Sequence, residues 1–285
     1  MGTPTDQNSG KRKAGLSGND SPGMSKVKDS CLVKTLPQRK SGGVIYILPN
    51  LLTTASLFAG FYAIMSSRSG QFEAACIALL AAMVMDMLDG RIARMTNTTS
   101  EFGSEYDSLA DMVSFGVTPA LVLYEWVLFE FGRVGSIAAF LFLACAALRL
   151  ARFNTHSSEE KRFFSGMPSP AAAAVLGSMV WVGYDNELSG LLYNYAALIL
   201  CVISALAMVS NVQYRSFKDF DLKGHMPFIA LIGVVLVVAL IAVDPPLFFL
   251  GLALTYLISG PLLEGFESWR SSKADKRADD SVDNS

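Results

Sequence analysis

Apolar segments of nearly bilayer length dominate this sequence and constrain its fold more than any other feature. The first 42 residues are polar, and eight apolar segments then follow at 44–65, 72–88, 108–130, 134–150, 169–184, 189–209, 226–242 and 245–262. About 20 helical residues cross the hydrocarbon core of a bilayer, and a helix satisfies its own backbone hydrogen bonds there. The sequence therefore predicts an all-α integral membrane protein, a bundle of about eight transmembrane helices.

Composition divides the chain into three parts. Residues 1–42 are rich in Gly, Ser, Lys and Asp and predict a disordered basic tail. Within it, residues 31–40 either lie on the membrane surface through their basic side chains or belong to the unstructured tail. Residues 43–262 form the predicted membrane domain, and residues 263–285 predict a second disordered tail.

Basic residues predict the orientation of the bundle. With eight spans, all but Arg68 and Arg133 of the 23 lysines and arginines fall in the two tails, in the loops on the same side or, for Arg149, at the adjoining end of a span. Positive charge marks the cytoplasmic side of a membrane protein. Both termini and the loop at 88–107 are therefore predicted to be cytoplasmic. The interfacial aromatic residues predicted from this topology are Trp126, Trp181 and Tyr184 on the outer side and Trp269 on the inner side.

The four cysteines do not indicate a disulfide framework or a zinc site. No two of them form a C-x2-C pair, and Cys76, Cys145 and Cys201 lie within apolar segments. Cysteine in such positions is typical of a small buried core residue.

Four aspartates stand between the second and third apolar segments. Asp86 and Asp89 are spaced i, i+3, while Asp107 and Asp111 are spaced i, i+4, so each pair shares one face of a helix. If the two helices pack antiparallel, the carboxylates converge, and their mutual repulsion favours bound cations. Oxygen ligands without nearby His or Cys suit Mg²⁺, Ca²⁺ or Mn²⁺. Ser104-x-x-Asp107 resembles a capping box and predicts that the later helix begins there.

This region resembles the CDP-alcohol phosphotransferase family, whose pattern is D-x2-D-G-x2-A-R-x8-G-x3-D-x3-D. The sequence carries every position of the pattern: Asp86, Asp89, Gly90, Ala93, Arg94, Gly103, Asp107 and Asp111. The resemblance implies an enzyme that displaces CMP from a CDP-linked lipid by attack of a hydroxyl group on phosphorus. It also implies a divalent cofactor, Mg²⁺ or Mn²⁺, as two ions, and a homodimer.

The resemblance assigns roles to the motif residues. Asp86, Asp89 and Asp107 are expected to bind metal, and Asp111 is expected both to approach the second metal and to take the hydroxyl proton as the catalytic base. The small residues Gly90, Ala93 and Gly103 are expected beside the nucleotide. Asp86 and Arg94 are also expected to bind the CDP-lipid, with Arg94 ordering the site.

Three further stretches resemble the phosphatidylserine synthase branch of this family: ILPNLLTTASLFAGFYAI, SLADMVSFGVTPA, and LRLARFN followed by FSGMPSPAAA. The expected substrates are CDP-diacylglycerol and L-serine, in a bacterial inner membrane, with the active site facing the cytoplasm and with no nucleic-acid partner. Asn50 and Thr53 are expected to reach the phosphates, unless they only begin the first helix after Pro49.

Polar residues at the end of the fourth apolar segment predict the acceptor site. Arg149, Arg152 and Asn154 sit where that segment reaches the cytoplasm. We expect Arg149 or Arg152 to contact the serine carboxylate or a lipid phosphate, because arginine binds both in a bidentate manner. Ordinary positive-inside anchoring is the alternative for these arginines.

Three other functions compete with serine transfer. The first is the same chemistry with another acceptor, such as glycerol 3-phosphate, inositol phosphate or choline. The second is a cation-binding transporter, although transporter sites usually lie near the membrane midplane. The third is a silent relative with a scaffolding role, against which the complete motif argues.

Overall fold

A computed structural model describes residues 43–96, 100–155, 164–188, 190–214 and 228–262. Both predicted tails, 1–42 and 263–285, lie outside the described residues, together with Cys31 and Trp269. The described part of the chain is almost entirely helical.

Nine α-helices make up the described part of the chain. Their bounds are α1 Gly43–Arg68, α2 Phe72–Thr96, α3 Glu101–Asp111, α4 Thr118–Trp126, α5 Arg133–Thr155, α6 Ser169–Asp185, α7 Leu191–Val209, α8 Phe228–Val243 and α9 Pro245–Leu262. A π-helical segment, Met112–Val117, joins α3 to α4, and a short 3₁₀ helix, Leu128–Phe131, precedes α5.

Each predicted apolar segment contains a helix, and the chain is a helical membrane protein as predicted. Four helices are long and apolar enough to cross a bilayer: Ile47–Arg68, which is most of α1, and α5, α7 and α9. Helix α2 carries three acidic residues, and α6 and α8 have 17 and 16 residues, which is shorter than a typical span. The number of spans, predicted as about eight, therefore stays a prediction.

Helices α1 and α2 form an antiparallel hairpin. They are joined by a tight turn in which Gly70 has φ +76°, a conformation that glycine adopts without strain. The Ser56 hydroxyl donates to the Ala82 carbonyl at 3.0 Å, and Thr53 faces Asp89 nearer the other end. The hairpin thus brings the start of α1 beside the end of α2.

The α3–π–α4 unit packs parallel to α1. Its Ser114 and Thr118 hydroxyls each donate to an α1 carbonyl at 3.2 Å, those of Ser56 and Gly60 respectively. A Cβ on Gly60 would lie 3.0 Å from the Ser114 Oγ, so the absence of a side chain allows this close contact. Small residues and polar cross-contacts of this kind are typical of helix packing in membranes.

Helix α6 occupies the centre of the bundle and is buried along most of its length. The Cys76 thiol donates to its Gly177 carbonyl at 3.3 Å, and Leu79 fills the space that a Gly177 side chain would take. Cys76, Cys145 and Cys201 are free and buried, which confirms their prediction as core residues.

A short strand pair departs from the all-α prediction. Strand β1, Phe164–Ser165, pairs antiparallel with β2, Gln213–Tyr214. The chain then leaves β1 through Gly166, whose amide donates to the Val212 carbonyl at 2.9 Å. This pair fixes the connection before α6 against the connection after α7.

Candidate functional site

Three aspartates converge where the end of α2 meets α3. Asp86, Asp89 and Asp107 each offer an oxygen atom, and these atoms lie within 4.8 Å of one another. The first two share a face of α2, because they are one helical turn apart. The spacing predicted this convergence on the condition that the two helices pack antiparallel.

Helix α3 begins earlier than the sequence predicted. Ser100 is its N-cap, with its side chain accepting a hydrogen bond from the Gly103 amide at 3.0 Å. The predicted capping box at Ser104 and Asp107 is therefore wrong, because a serine four residues earlier already caps the helix. Asp107 consequently lies inside α3, with helical residues before and after it, so the helix fixes the position of its backbone.

Asp111 lies next to this group but contacts only one of its members by hydrogen bond. Its carboxyl group shares a hydrogen bond with that of Asp86. Two carboxyl groups in such contact hold a proton between them. The π-helical segment begins directly after Asp111, and π-helical turns are frequent at functional sites.

Burial and crowding make the negative charge of the cluster costly. Burial raises the pKa of Asp107 to about 7, and the nearby carboxylates of Asp89 and Asp86 add to the effect. Burial also raises the pKa of Asp89, against the lowering effect of a 2.6 Å hydrogen bond donated by the Thr53 hydroxyl. A cation among these oxygens would offset the repulsion, and an all-oxygen donor set fits Mg²⁺ or Mn²⁺.

A cavity of about 220 Å³ opens beside the carboxylates. It is lined by Pro49, Asn50, Thr53, Asp89, Gly90, Ala93, Arg94, Ser100, Gly103, Ser104 and Asp107. Every residue predicted to bind the nucleotide lies in this lining except Asp86, which belongs to the carboxylate cluster. Three lining residues were not predicted for the cavity: Pro49, Ser100 and Ser104. Of these, Ser100 carried a recognisable signal as a helix cap.

The two motif glycines keep the cavity open in different ways. A Cβ on Gly103 would approach the Ser100 Oγ to 3.0 Å and the Asn50 Oδ1 to 3.3 Å, so the wall is already closely packed there. A Cβ on Gly90 would meet only an Arg94 nitrogen, at 3.9 Å. Space beside Gly90 is thus available to a ligand, with the Arg94 guanidinium at its edge.

The three predicted acceptor-site residues contact three different elements. Arg149 donates from Nη1 to the Ser169 hydroxyl at the start of α6, at 3.1 Å, and also interacts electrostatically with Asp111. Arg152 donates to Asn211 Oδ1 at 3.1 Å. Asn154 donates to the Ser108 hydroxyl of α3 at 3.1 Å. Arg149 therefore lies near enough to the carboxylate cluster to interact with it by charge.

Comparison with known proteins agrees with this geometry. The family model for CDP-alcohol phosphatidyltransferase matches residues 46–210, which include every residue of the site described in this subsection except Asn211. A Helicobacter pylori (strain J99) protein named CDP-diacylglycerol--serine O-phosphatidyltransferase is 41% identical over 217 residues, covering 74% of this chain and 90% of its own length.

Two further relatives extend the similarity. A Mycobacterium leprae protein of the same name is 30% identical over 239 residues, covering 82% of this chain and 79% of its own. An archaetidylserine synthase of Methanothermobacter thermautotrophicus is 37% identical over 169 residues, covering 59% and 69% respectively. With its spanning helices, its clustered carboxylates and these matches, this chain belongs to the CDP-alcohol phosphatidyltransferase family of integral membrane proteins.

Proposed function

We propose that this protein is a CDP-diacylglycerol–serine O-phosphatidyltransferase. It transfers the phosphatidyl group of CDP-diacylglycerol to the hydroxyl of L-serine and releases CMP. The observation that carries this proposal is the carboxylate cluster, which opens onto a cavity walled by small residues and Arg94. The names of the most similar relatives support serine as the acceptor.

In this proposal Asp86, Asp89 and Asp107 are the metal ligands, and Asp111 lies beside the position of a second metal ion. Their oxygen-only donor set suits Mg²⁺ or Mn²⁺, and two ions would match two pairs of carboxylates. Such ions, when bound, neutralise the negative charge of a diphosphate. Without them, four crowded carboxyl groups would repel the substrate.

The cavity residues bind the CDP-lipid in this proposal. Asn50 and Thr53 face it from α1 and reach the phosphates, while Gly90, Ala93 and Gly103 leave room for the nucleotide. Arg94 supplies positive charge at the edge of the cavity, where a phosphate binds favourably.

Asp111 is the base in the transfer step. It takes the proton of the serine hydroxyl as the oxygen bonds to phosphorus, and the bond between that phosphorus and the CMP oxygen breaks. The hydrogen bond to Asp86 and the electrostatic interaction with Arg149 hold the Asp111 carboxyl group in place. Arg149, Arg152 and Asn154 form the acceptor side, where a carboxylate or phosphate meets positive charge.

The proposal includes a topology and an assembly. Residues 43–262 form the membrane domain, with about eight spans and with both tails, 1–42 and 263–285, in the cytoplasm. The site then faces the cytoplasm, where CTP-derived substrates and serine are available, in the inner membrane of a bacterium. A homodimer is the proposed assembly.

Acceptor-dependent CMP release tests the function. The purified protein, with CDP-diacylglycerol and Mn²⁺ or Mg²⁺, should release CMP with L-serine and not with glycerol 3-phosphate, inositol phosphate or choline. Asp111→Asn should abolish release while the protein keeps its elution volume in detergent. CMP release with another acceptor and not with serine would overturn the choice of serine, and unchanged release by Asp111→Asn would remove this residue from the base role.

The transporter alternative has its own test. Cation flux in proteoliposomes without any CDP-lipid would support it. The cavity argues against it, because Arg94 at the wall of a bare cation site would repel the cation.

A further inference from the structure

The helical path from α3 to α4 contains a π turn at Met112–Val117, directly after Asp111. The Thr118 amide closes it by donating to the Val113 carbonyl, five residues earlier. An α-helix would use the carbonyl four residues earlier, so the π turn holds one residue more than an α turn. Because 3.6 residues complete an α turn, the extra residue rotates α3 by about 100° relative to α4.

The residues at the end of the π turn explain why it forms. Pro119 is the second residue of α4, and a proline there removes the amide that an α-helix would direct to the Phe115 carbonyl and clashes with that carbonyl. The Thr118 hydroxyl lies 2.9 Å from the Val113 carbonyl oxygen, the same acceptor that its amide uses. Pro119 therefore disfavours the α-helical alternative, and Thr118 stabilises the π turn.

The same hydroxyl connects the π turn to α1. It lies 3.2 Å from the Gly60 carbonyl oxygen, and Ser114 donates to the Ser56 carbonyl at the same distance. The Thr118 and Ser114 side chains are both fully buried. Buried hydroxyls bonded to the backbone of a neighbouring helix fix how the two helices face each other. These two contacts thus fix the rotation of α4 about its own axis.

The rotation of α3 decides whether the carboxylate cluster forms. Asp107 of α3 meets Asp86 and Asp89 of α2, with oxygen atoms within 4.8 Å of one another, and Asp111 lies one helical turn further along α3. If the π turn became an α turn while α4 kept its contacts with α1, α3 would rotate by about 100°. Asp107 and Asp111 would then face away from α2.

We propose that Thr118 is a positioning residue: its hydroxyl holds the π turn and so directs the α3 carboxylates, Asp107 and Asp111, toward those of α2 to complete the cation site. Thr118 touches neither the cluster nor the cavity, since eleven residues, about 16 Å of helix, separate it from Asp107. The expected effect on turnover rests on the proposed function, whereas the expected effect on cation binding does not.

Thr118→Val tests the inference with little change of shape, because valine keeps the size and branching of threonine and lacks only the hydroxyl. Isothermal titration in detergent should show an Mn²⁺ affinity about three- to tenfold lower, the effect of one lost buried hydrogen bond. At saturating Mn²⁺ the kcat for CMP release should fall by a similar factor, while the KM for L-serine stays within about twofold of wild type. Thr118→Ser returns the hydroxyl and should restore both the Mn²⁺ affinity and kcat.

Ser178→Ala is the matched control for the loss of a buried hydroxyl. The Ser178 hydroxyl donates to two carbonyls of its own helix, those of Ala174 at 2.6 Å and Val175 at 3.2 Å. This variant should leave the Mn²⁺ affinity and kcat unchanged. Gly60→Ala disturbs the Thr118 contact from α1, because its Cβ would lie 3.1 Å from the Thr118 Oγ1. It should lower the Mn²⁺ affinity as Thr118→Val does, and it tests the same contact if Thr118→Val purifies poorly.

An unchanged Mn²⁺ affinity in Thr118→Val would overturn the inference, even with a lower melting temperature, because the hydroxyl would then have only a structural role. An equal loss of affinity in Thr118→Ser would also overturn it. Failure of the proposed function looks different, because the wild-type protein would then release no CMP with serine. The Mn²⁺ titrations do not depend on that reaction, so a selective loss of affinity in Thr118→Val would still support the positioning role. A wild-type protein that binds no Mn²⁺ would overturn both the inference and the proposed metal site.

Discussion

At the scale of single residues, the hydrogen bond between Thr53 and Asp89 is the contact most open to a clean test. Both residues are 4% exposed, and the bond is 2.6 Å long. It is the described contact that ties α1 directly to the carboxylate cluster. A short bond to a buried carboxylate stabilises its charged form, which is the form that binds a cation.

We therefore expect Thr53→Val to weaken the site without changing its shape. Loss of a hydrogen bond to a buried carboxylate costs about 1–3 kcal/mol, so the apparent Mn²⁺ affinity should fall by about one order of magnitude. Isothermal titration with Mn²⁺ in detergent measures this. Thr54→Val is the matched control, since the neighbouring hydroxyl is exposed and faces Tyr106 at 2.9 Å. An equal loss of affinity in both variants would contradict the special role of Thr53.

Residue spacing predicted the positions of the site residues well because helical geometry is local. The i, i+3 and i, i+4 relations of the four aspartates, and that of Asn50 with Thr53, hold wherever a helix forms. The hydrogen bond between Asp86 and Asp111 could not be predicted from the sequence, because it depends on how α2 and α3 pack against each other. Ser104 was missed as a cavity residue for a similar reason, since nothing in its spacing distinguishes it from a capping serine.

At the scale of elements, the carboxylate cluster joins α2 to α3, so a bound cation should stabilise the pair. A ligand that binds only the folded protein adds about 2.7 kcal/mol to the free energy of unfolding at a concentration of 100 times its Kd. We expect Mn²⁺ or Mg²⁺ to raise the melting temperature of the wild-type protein in detergent, and EDTA to reverse the increase.

Asp107→Asn distinguishes this metal effect from a general salt effect. The variant should lose the metal-dependent increase, yet in EDTA it should melt at or above the wild-type temperature, because one of the repelling buried carboxylates is gone. The matched control is Asp185→Asn, at the C-terminal end of α6 and away from the carboxylate cluster. This variant should keep the metal-dependent increase in melting temperature. A metal-dependent increase that survives in Asp107→Asn would place the cation elsewhere.

The strand pair is a second element with a testable role. Gly166 has φ +88°, and a Cβ there would come within 2.3 Å of the Met208 carbonyl oxygen. Gly166→Ala should therefore strain the connection from β1 into α6, which carries Ser169 and so the contact to Arg149. We expect a lower melting temperature and a higher KM for serine.

Gly70→Ala is the matched control for Gly166→Ala. Its φ is +76°, but nothing lies within 4 Å of the added Cβ. It should cost only the backbone strain of a left-handed alanine, about 1–2 kcal/mol, and should leave the serine KM unchanged. If both variants lower the melting temperature equally and neither changes that KM, the strand pair does not position the acceptor site.

At the scale of the whole molecule, hydropathy predicted the helices and little of their connections. The third predicted segment began at 108, whereas α3 begins at Glu101, because the polar residues before Asp107 continue the helix beyond the apolar run. The pairing of Phe164–Ser165 with Gln213–Tyr214 joins residues about 50 positions apart and has no local signal. The docking of α9 through Tyr214 and Gly260 is equally non-local.

The orientation of the bundle is a prediction from charge, and two engineered cysteines can test it. From the start of α3 to the end of α4 the chain is continuously helical over about 39 Å, at 1.5 Å per residue. We therefore expect Glu101 and the later Arg133 at opposite membrane faces. An aromatic cluster lies where α4 ends and is formed by Phe72, Trp126 and Tyr184, whose ring centres are 4.9 to 5.9 Å apart. The side chains of Glu101 and Arg133 are both exposed, so a cysteine at either position is accessible to a reagent.

In a chain whose four native cysteines are replaced by alanine, Arg133→Cys should react with a membrane-impermeant maleimide added outside intact spheroplasts. Glu101→Cys should react only after the membrane is opened or inverted, because it shares the cytoplasmic face with the carboxylate cluster in the charge-based topology. Equal labelling of both positions from outside would disprove the spanning path. Labelling of Glu101→Cys alone would place the carboxylates on the outer face, away from any supply of cytoplasmic nucleotide, and would overturn the proposed reaction together with the orientation.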